Sequence, residues 1–143
     1  MITRIDVSKI EANRDTQEAI MNMKFNINFD DVKVSKEDVN VAFTFTAVYE
    51  TGQSPSDATQ VGKLTIMGNV LSKESKKDAD DIKDTWDSKK TLPIRFAEDI
   101  INILNFECGA RGTLVAYSIG FVAPLPISRA KLQEGASASS AVS

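Results

Sequence analysis

The chain has 143 residues, 42% of them hydrophobic and 26% charged, enough for one sizeable core and not for two. Its net charge is -3 and its 17 basic residues are scattered along the sequence, which argues against a nucleic-acid partner. One cysteine, Cys108, and no histidine exclude an intrachain disulfide framework and remove the commonest metal ligand and general base.

The N-terminal segment MITRIDVSKI mixes polar and apolar residues from its start. It predicts a first strand, with EANRDTQE as a polar connection. No stretch of the chain approaches the roughly 18 apolar residues that span a bilayer, so the expectation is a soluble, cytoplasmic protein without membrane insertion. Next comes MKFNINF, in which Met23, Phe25, Ile27 and Phe29 alternate with polar residues, the period-two pattern of a half-buried strand. The clearest alternation is VNVAFTFTAVYE, which puts Val39, Val41, Phe43, Phe45, Ala47 and Tyr49 on one face. The intervening DDVKVSKED is short and charged, as in a hairpin whose first strand continues through Val32 and Val34. A turn at TGQSPSDAT leads to VGKLTIMGNVL, a fourth strand with Leu64, Ile66 and Val70 on one side. Gly62 and Gly68 lie on that same side and signal a bulge or a close backbone approach.

From Ser72 the pattern changes. SKESKKDADDIKDTWDSKK is densely charged, and its only apolar stripe is Ala79, Ile82 and Trp86 at helical spacing, which predicts a surface helix. A long helix then starts near Pro93. Ile94, Ala97, Ile101, Leu104 and Cys108 share one stripe of it, and Phe96, Ile100 and Ile103 lie beside that stripe. The apolar arc covers roughly half the circumference, more than one sheet requires, so the surplus should meet a second subunit or a ligand. Gly109 and Gly112 predict the end of this helix or a kink, with Arg111 near the negative end of its dipole. Beyond them LVAYSIGFVAPLPI favours extended structure from Phe121, and the low-complexity EGASASSAVS predicts disorder.

Candidate chemistries are sparse. Cys108 falls on the core stripe with no histidine to activate it, so it reads as an inert small hydrophobe. Phosphate-binding glycines precede a helix, whereas Gly109 and Gly112 follow one. The acidic pairs Asp30–Asp31 and Asp80–Asp81 have no apolar pocket around them, and Asp78, Asp80 and Asp84 lack the glycine and distal glutamate of a calcium loop. The sequence thus predicts no enzyme, no cofactor and no metal site.

The order of elements, together with RIDVSKIEA, MNMKFNINFD, VNVAFTFTAVYE and VGKLTIMGNVL, resembles the SecB family of bacterial export chaperones. RFAEDIINILNFECGARGTL is similar to that family's long helix at Phe96, Ala97, Glu98, Arg111, Gly112 and Thr113, and VAPLPI resembles its apolar-Ala-Pro motif at Val122, Ala123 and Pro124. The resemblance implies a homotetramer, a dimer of dimers joined through the long helices, and ATP-independent holding of unfolded or preprotein polypeptides for export. It implies peptide-binding grooves between helix and sheet, mapped here to Phe25, Ile27, Phe29, Phe96, Ile100 and Ile103. The oligomer interface maps to Ile94, Ala97, Ile101, Leu104 and Cys108. Departures from the family are the short polar connection between the first two strands, the closing helix reduced to SRAKLQEG, and the weak net acidity, which puts handover to a motor ATPase in doubt.

The expectation is therefore an α+β domain over residues 1–130, a four-stranded antiparallel sheet packed by a long helix in the C-terminal half, SecB-like and oligomeric. Residues 131–143 form a disordered tail in this reading. The alternatives are a non-catalytic assembly module whose apolar helix face serves only homo-oligomerisation, and a small-molecule carrier with a closed pocket.

Overall fold

A computed structural model describes residues 1–52 and 58–121, and the backbone alone of 138–142. Four long strands, β1 (Ile2–Arg14), β2 (Asn22–Ser35), β3 (Asp38–Thr51) and β4 (Thr59–Lys73), are followed by α1 (Lys76–Lys89) and α2 (Ile94–Ser118). The architecture is α+β, and a short β5 (Ala138–Val142) joins the edge of the sheet. The strand order is β1-β4-β3-β2-β5, with every neighbour antiparallel.

β3 is central because its alternation is uninterrupted, with Val41, Phe45, Ala47 and Tyr49 all fully buried. β2 joins it through a tight turn at Ser35–Asp38, where Lys36 takes the left-handed conformation (φ 57°). The β2 pattern skips a step between Phe29 and Val32, and the ladder explains why. Asp30 is bulged out between the pairs Phe29↔Phe43 and Asp31↔Ala42, its carboxylate accepting from Thr44 Oγ1 at 2.6 Å. One extra residue re-phases the strand, so Val32 and Val34 return to the face of Phe25 and Ile27.

β1 has two such bulges, at Thr3 and Ser8, which is why its alternation is hard to read. Each hydroxyl reaches across to a carbonyl of β4: Thr3 Oγ1 donates to Leu71 O at 3.1 Å and Ser8 Oγ to Met67 O at 3.2 Å. Bulges on an exposed edge also discourage edge-to-edge aggregation. The strand runs to Arg14, so EANR, expected as part of a connection, is strand, and only Asp15 to Met21 cross to β2. That crossover is pinned over the ends of β4 and β3 by Asp15 N–H to Val61 O at 2.6 Å and Met21 N–H to Glu50 O at 2.8 Å. The two strand glycines answer to close approaches. A Cβ on Gly68 would lie 2.1 Å from Asp6 O, and one on Gly62 would lie 2.1 Å from Phe121 Cζ.

Helix α1 starts at Ser75, whose side chain accepts the Asp78 N–H, and it buries Ala79, Ile82 and Trp86, the stripe expected of it. It packs on β2, while α2 packs on β4 and β1, and both helices close one core over one face of the sheet. α2 begins after Pro93 as predicted. It does not end or kink at Gly109–Gly112: both glycines are buried within the helix, where tertiary packing outweighs their poor propensity, about 1 kcal/mol each. The end comes at Gly120 (φ 76°), with Phe121 N–H on Ala116 O at 2.7 Å and Gly120 N–H on Tyr117 O at 3.3 Å, the paired bonds of a Schellman cap.

The expected disorder over 131–143 does not extend to residues 138–142, whose backbone pairs with β2 from Met23↔Val142 to Ile27↔Ala138. An open strand edge offers a row of unpaired backbone groups, and pairing them needs no bulky side chain. The VAPLPI motif from Val122 onward and SRAKLQEG lie outside the described residues.

Candidate functional site

The side chains assigned to a groove between helix and sheet are for the most part the core itself. Phe25 (3% exposed), Ile27 (5%), Phe96 (8%) and Ile100 (0%) are buried, and Phe25 packs its ring 6.0 Å from that of Phe45. Only Phe29 and Ile103 keep partial exposure. The stripe assigned to the oligomer interface lies in the same core: Ala97, Ile101, Leu104 and Cys108 are at most 4% exposed within one chain, and Ile94, at 37%, is the exception. The reason is geometric: a sheet of long twisted strands needs the widest apolar face of α2 to cover it, and that is the face on which this stripe lies.

Besides the bulged outer edge of β1, two surfaces remain available. One is the outer edge of β2. β5 covers it only from Met23 to Ile27, and from Asn28 to Ser35 the edge has no strand partner among the described residues. Asp30, Asp31 and Lys33 lie along this open half, and charged residues with a bulge are the usual guard against indiscriminate pairing. Met21, 52% exposed, flanks the other end. The strand beneath is anchored in the core through Met23, Phe25 and Ile27.

The other surface is the outer side of α2. Phe106 (69% exposed), Leu114 (80%) and Tyr117 (77%) project there, in line with half-buried Ile103 and exposed Ala110. Leu114 and Tyr117 were missed from sequence because a helix ending at Gly109–Gly112 has no place for them. The spacing of positions 103, 106, 110, 114 and 117 was the available signal.

The junction of β1, the crossover and the end of α2 is held by Arg14. Its guanidinium donates to the carbonyls of Thr16 (2.8 Å), Glu18 (3.0 Å), Gly120 (3.1 Å) and Ile119 (3.3 Å). It also lies 5.4 Å from the centre of the Phe121 ring, which stacks on Tyr49 at 4.1 Å. Burial pushes the Tyr49 hydroxyl up to about 12. The Cys108 thiol is likewise pushed up to about 12, chiefly by burial, with Arg111 acting against the shift and Glu107 with it. A thiol so placed stays protonated near neutral pH and is a poor nucleophile. Among the described residues no group of three or more His, Cys, Asp or Glu could hold a metal ion, and no helix is long and apolar enough to cross a membrane. No protein-family model matches the chain, and no curated protein matches it.

Proposed function

We propose that this protein is a SecB-like, ATP-independent holdase that captures extended segments of unfolded or preprotein polypeptides along the outer edge of β2. The observation that carries this reading is that the edge already receives a strand: Ala138–Val142 of the same chain pairs with Met23–Ile27. Backbone pairing of this kind reads no side-chain sequence, which suits a binder of many clients, and the chain's own tail would act as a displaceable occupant. The antiparallel sheet, the two helices after it and their order support the resemblance. In this reading the protein works in the cytoplasm, without catalysis, and releases clients by affinity.

The test is suppression of aggregation of a chemically unfolded client. Stoichiometric protein should suppress it, and a variant lacking residues 138–143 should do so at lower ratios, since the edge is then unoccupied. Absence of suppression at molar excess by both forms rejects the reading. A second reading, a non-catalytic assembly module, is favoured by the apolar outer face of α2.

A further inference from the structure

We propose that β5 is a built-in release strand, and that a client enters the β2 edge on its uncovered half, Asn28–Ser35, and then peels β5 away residue by residue. The inference rests on the reading of this edge as the site of polypeptide capture, and it adds the point of entry and the means of release.

β2 has 14 residues and β5 has 5, so the tail covers the edge only in part. The ladder runs from Met23↔Val142 to Ile27↔Ala138 and stops there. The core-facing side chains of β2 differ across that boundary. Met23, Phe25 and Ile27, along the covered half, are at most 6% exposed, whereas Phe29, Val32 and Val34 pack against the same core and are only half-buried. A strand added to an edge sets its side chains beside those of its neighbour on the same face, so the uncovered half offers apolar anchors next to a row of backbone groups with no strand partner among the described residues. The site continues the β5 ladder, and its occupant is therefore an extended client segment lying in the same antiparallel sense.

The covered half can be invaded from one end only. Beyond Met23 the edge is finished: β2 begins at Asn22, and the Met21 N–H is bonded to Glu50 O at 2.8 Å as the chain leaves the crossover. Beyond Ile27 the edge continues to Ser35. A client seated there lengthens its pairing by replacing Ala138 first and Val142 last. Each step exchanges one backbone pairing for another, whereas departure of β5 as a unit would break all of them before any is regained. The bulge at Asp30 and the charges of Asp31 and Lys33 weaken the first contact, so a client too short to reach Ile27 gains little hold. After displacement β5 still belongs to the same chain, so its return is intramolecular and does not weaken on dilution. It re-forms from Met23, the position the client reaches last, and drives the client off without hydrolysis.

The experiment is stopped-flow binding of a fluorescently labelled, permanently unfolded polypeptide to the full-length protein, to a variant lacking residues 138–143 and to Val34→Asp, with amide exchange of β5 followed in parallel. Truncation should leave the association rate constant within about threefold and slow dissociation on the order of 10-fold or more, because the returning strand is gone. Val34→Asp, at a half-buried position near the turn, should slow association on the order of 10-fold with or without the tail and leave circular dichroism unchanged. Bound client should speed amide exchange across Ala138–Val142. An association rate that rises on the order of 10-fold on truncation, or that levels off with client concentration, would mean that β5 must leave before the client enters; it overturns the proposal while capture stands. Equal dissociation rates with and without the tail overturn the release role, and an unchanged association rate in Val34→Asp overturns the point of entry. Absence of binding by every form rejects the capture reading and the proposal with it.

Discussion

Replacing Arg14 by alanine should loosen the end of α2 and uncover the Phe121 ring at the margin of the core. Of its four hydrogen bonds to carbonyls, those to Thr16 and Ile119 are partly buried and those to Glu18 and Gly120 are exposed. Taking about 1 kcal/mol for each partly buried bond and half that for each exposed one gives about 3 kcal/mol. The stacking of the guanidinium on Phe121 adds about 0.5 kcal/mol. For a domain of this size a loss of about 3.5 kcal/mol lowers the melting temperature by roughly 12 °C. Lysine at the same position places one ammonium where a planar fork reached four carbonyls, so Arg14→Lys should recover less than half of the loss. Thermal unfolding by circular dichroism measures the size of the effect, and amide exchange locates it. Faster exchange should be confined to residues near Ile119–Phe121 and to the crossover. An Arg14→Ala melting temperature within about 2 °C of wild type would refute the reasoning, since it would mean that water replaces the guanidinium at all four carbonyls.

Three further outcomes are expected. Leu104→Ala, at a fully buried site, should cost about 2–5 kcal/mol in urea unfolding, whereas Phe106→Ala, on the outer face of the same helix, should cost less than about 1 kcal/mol. Gly68→Ala should push β1 away at Asp6 and destabilise by about 1–3 kcal/mol, read in the same assay. In alkali, Cys108 and Tyr49 hold their protons to about 12 in the folded chain, against 9.0 and 10.0 ordinarily, so the unfolded state loses protons first. Stability should therefore be level below about pH 9, fall as pH rises from about 9 towards 12, and lose that slope in the Cys108→Ala, Tyr49→Phe double variant.

Much of the fold can be read in the sequence because burial imposes periods that side chains record. The unbroken alternation of β3 and the stripe Ala79, Ile82, Trp86 survive intact in the structure. β1 was harder because Thr3 and Ser8 each shift the phase, and EANR offers only Ala12 to the core side. The end of α2 was misplaced because Gly109 and Gly112 carry the same local signal as a cap; only tertiary burial distinguishes a helix glycine from a terminating one. The candidate sites suffered more. A sequence shows that α2 has too much apolar surface, but the choice between Leu104 and Phe106 as the inward residue depends on how the helix rolls on the sheet. β5 left no periodic trace at all, since a short run of small residues pairs through its backbone.

The central claim, that this chain captures unfolded polypeptide, is tested most directly by the solution mass of the full-length protein, by light scattering, alone and mixed with a permanently unfolded polypeptide. The account predicts a complex heavier than either component, reduced in amount when a peptide of the sequence ASSAV is added in excess to compete for the β2 edge. Two unchanged masses at the highest concentrations attainable would contradict it.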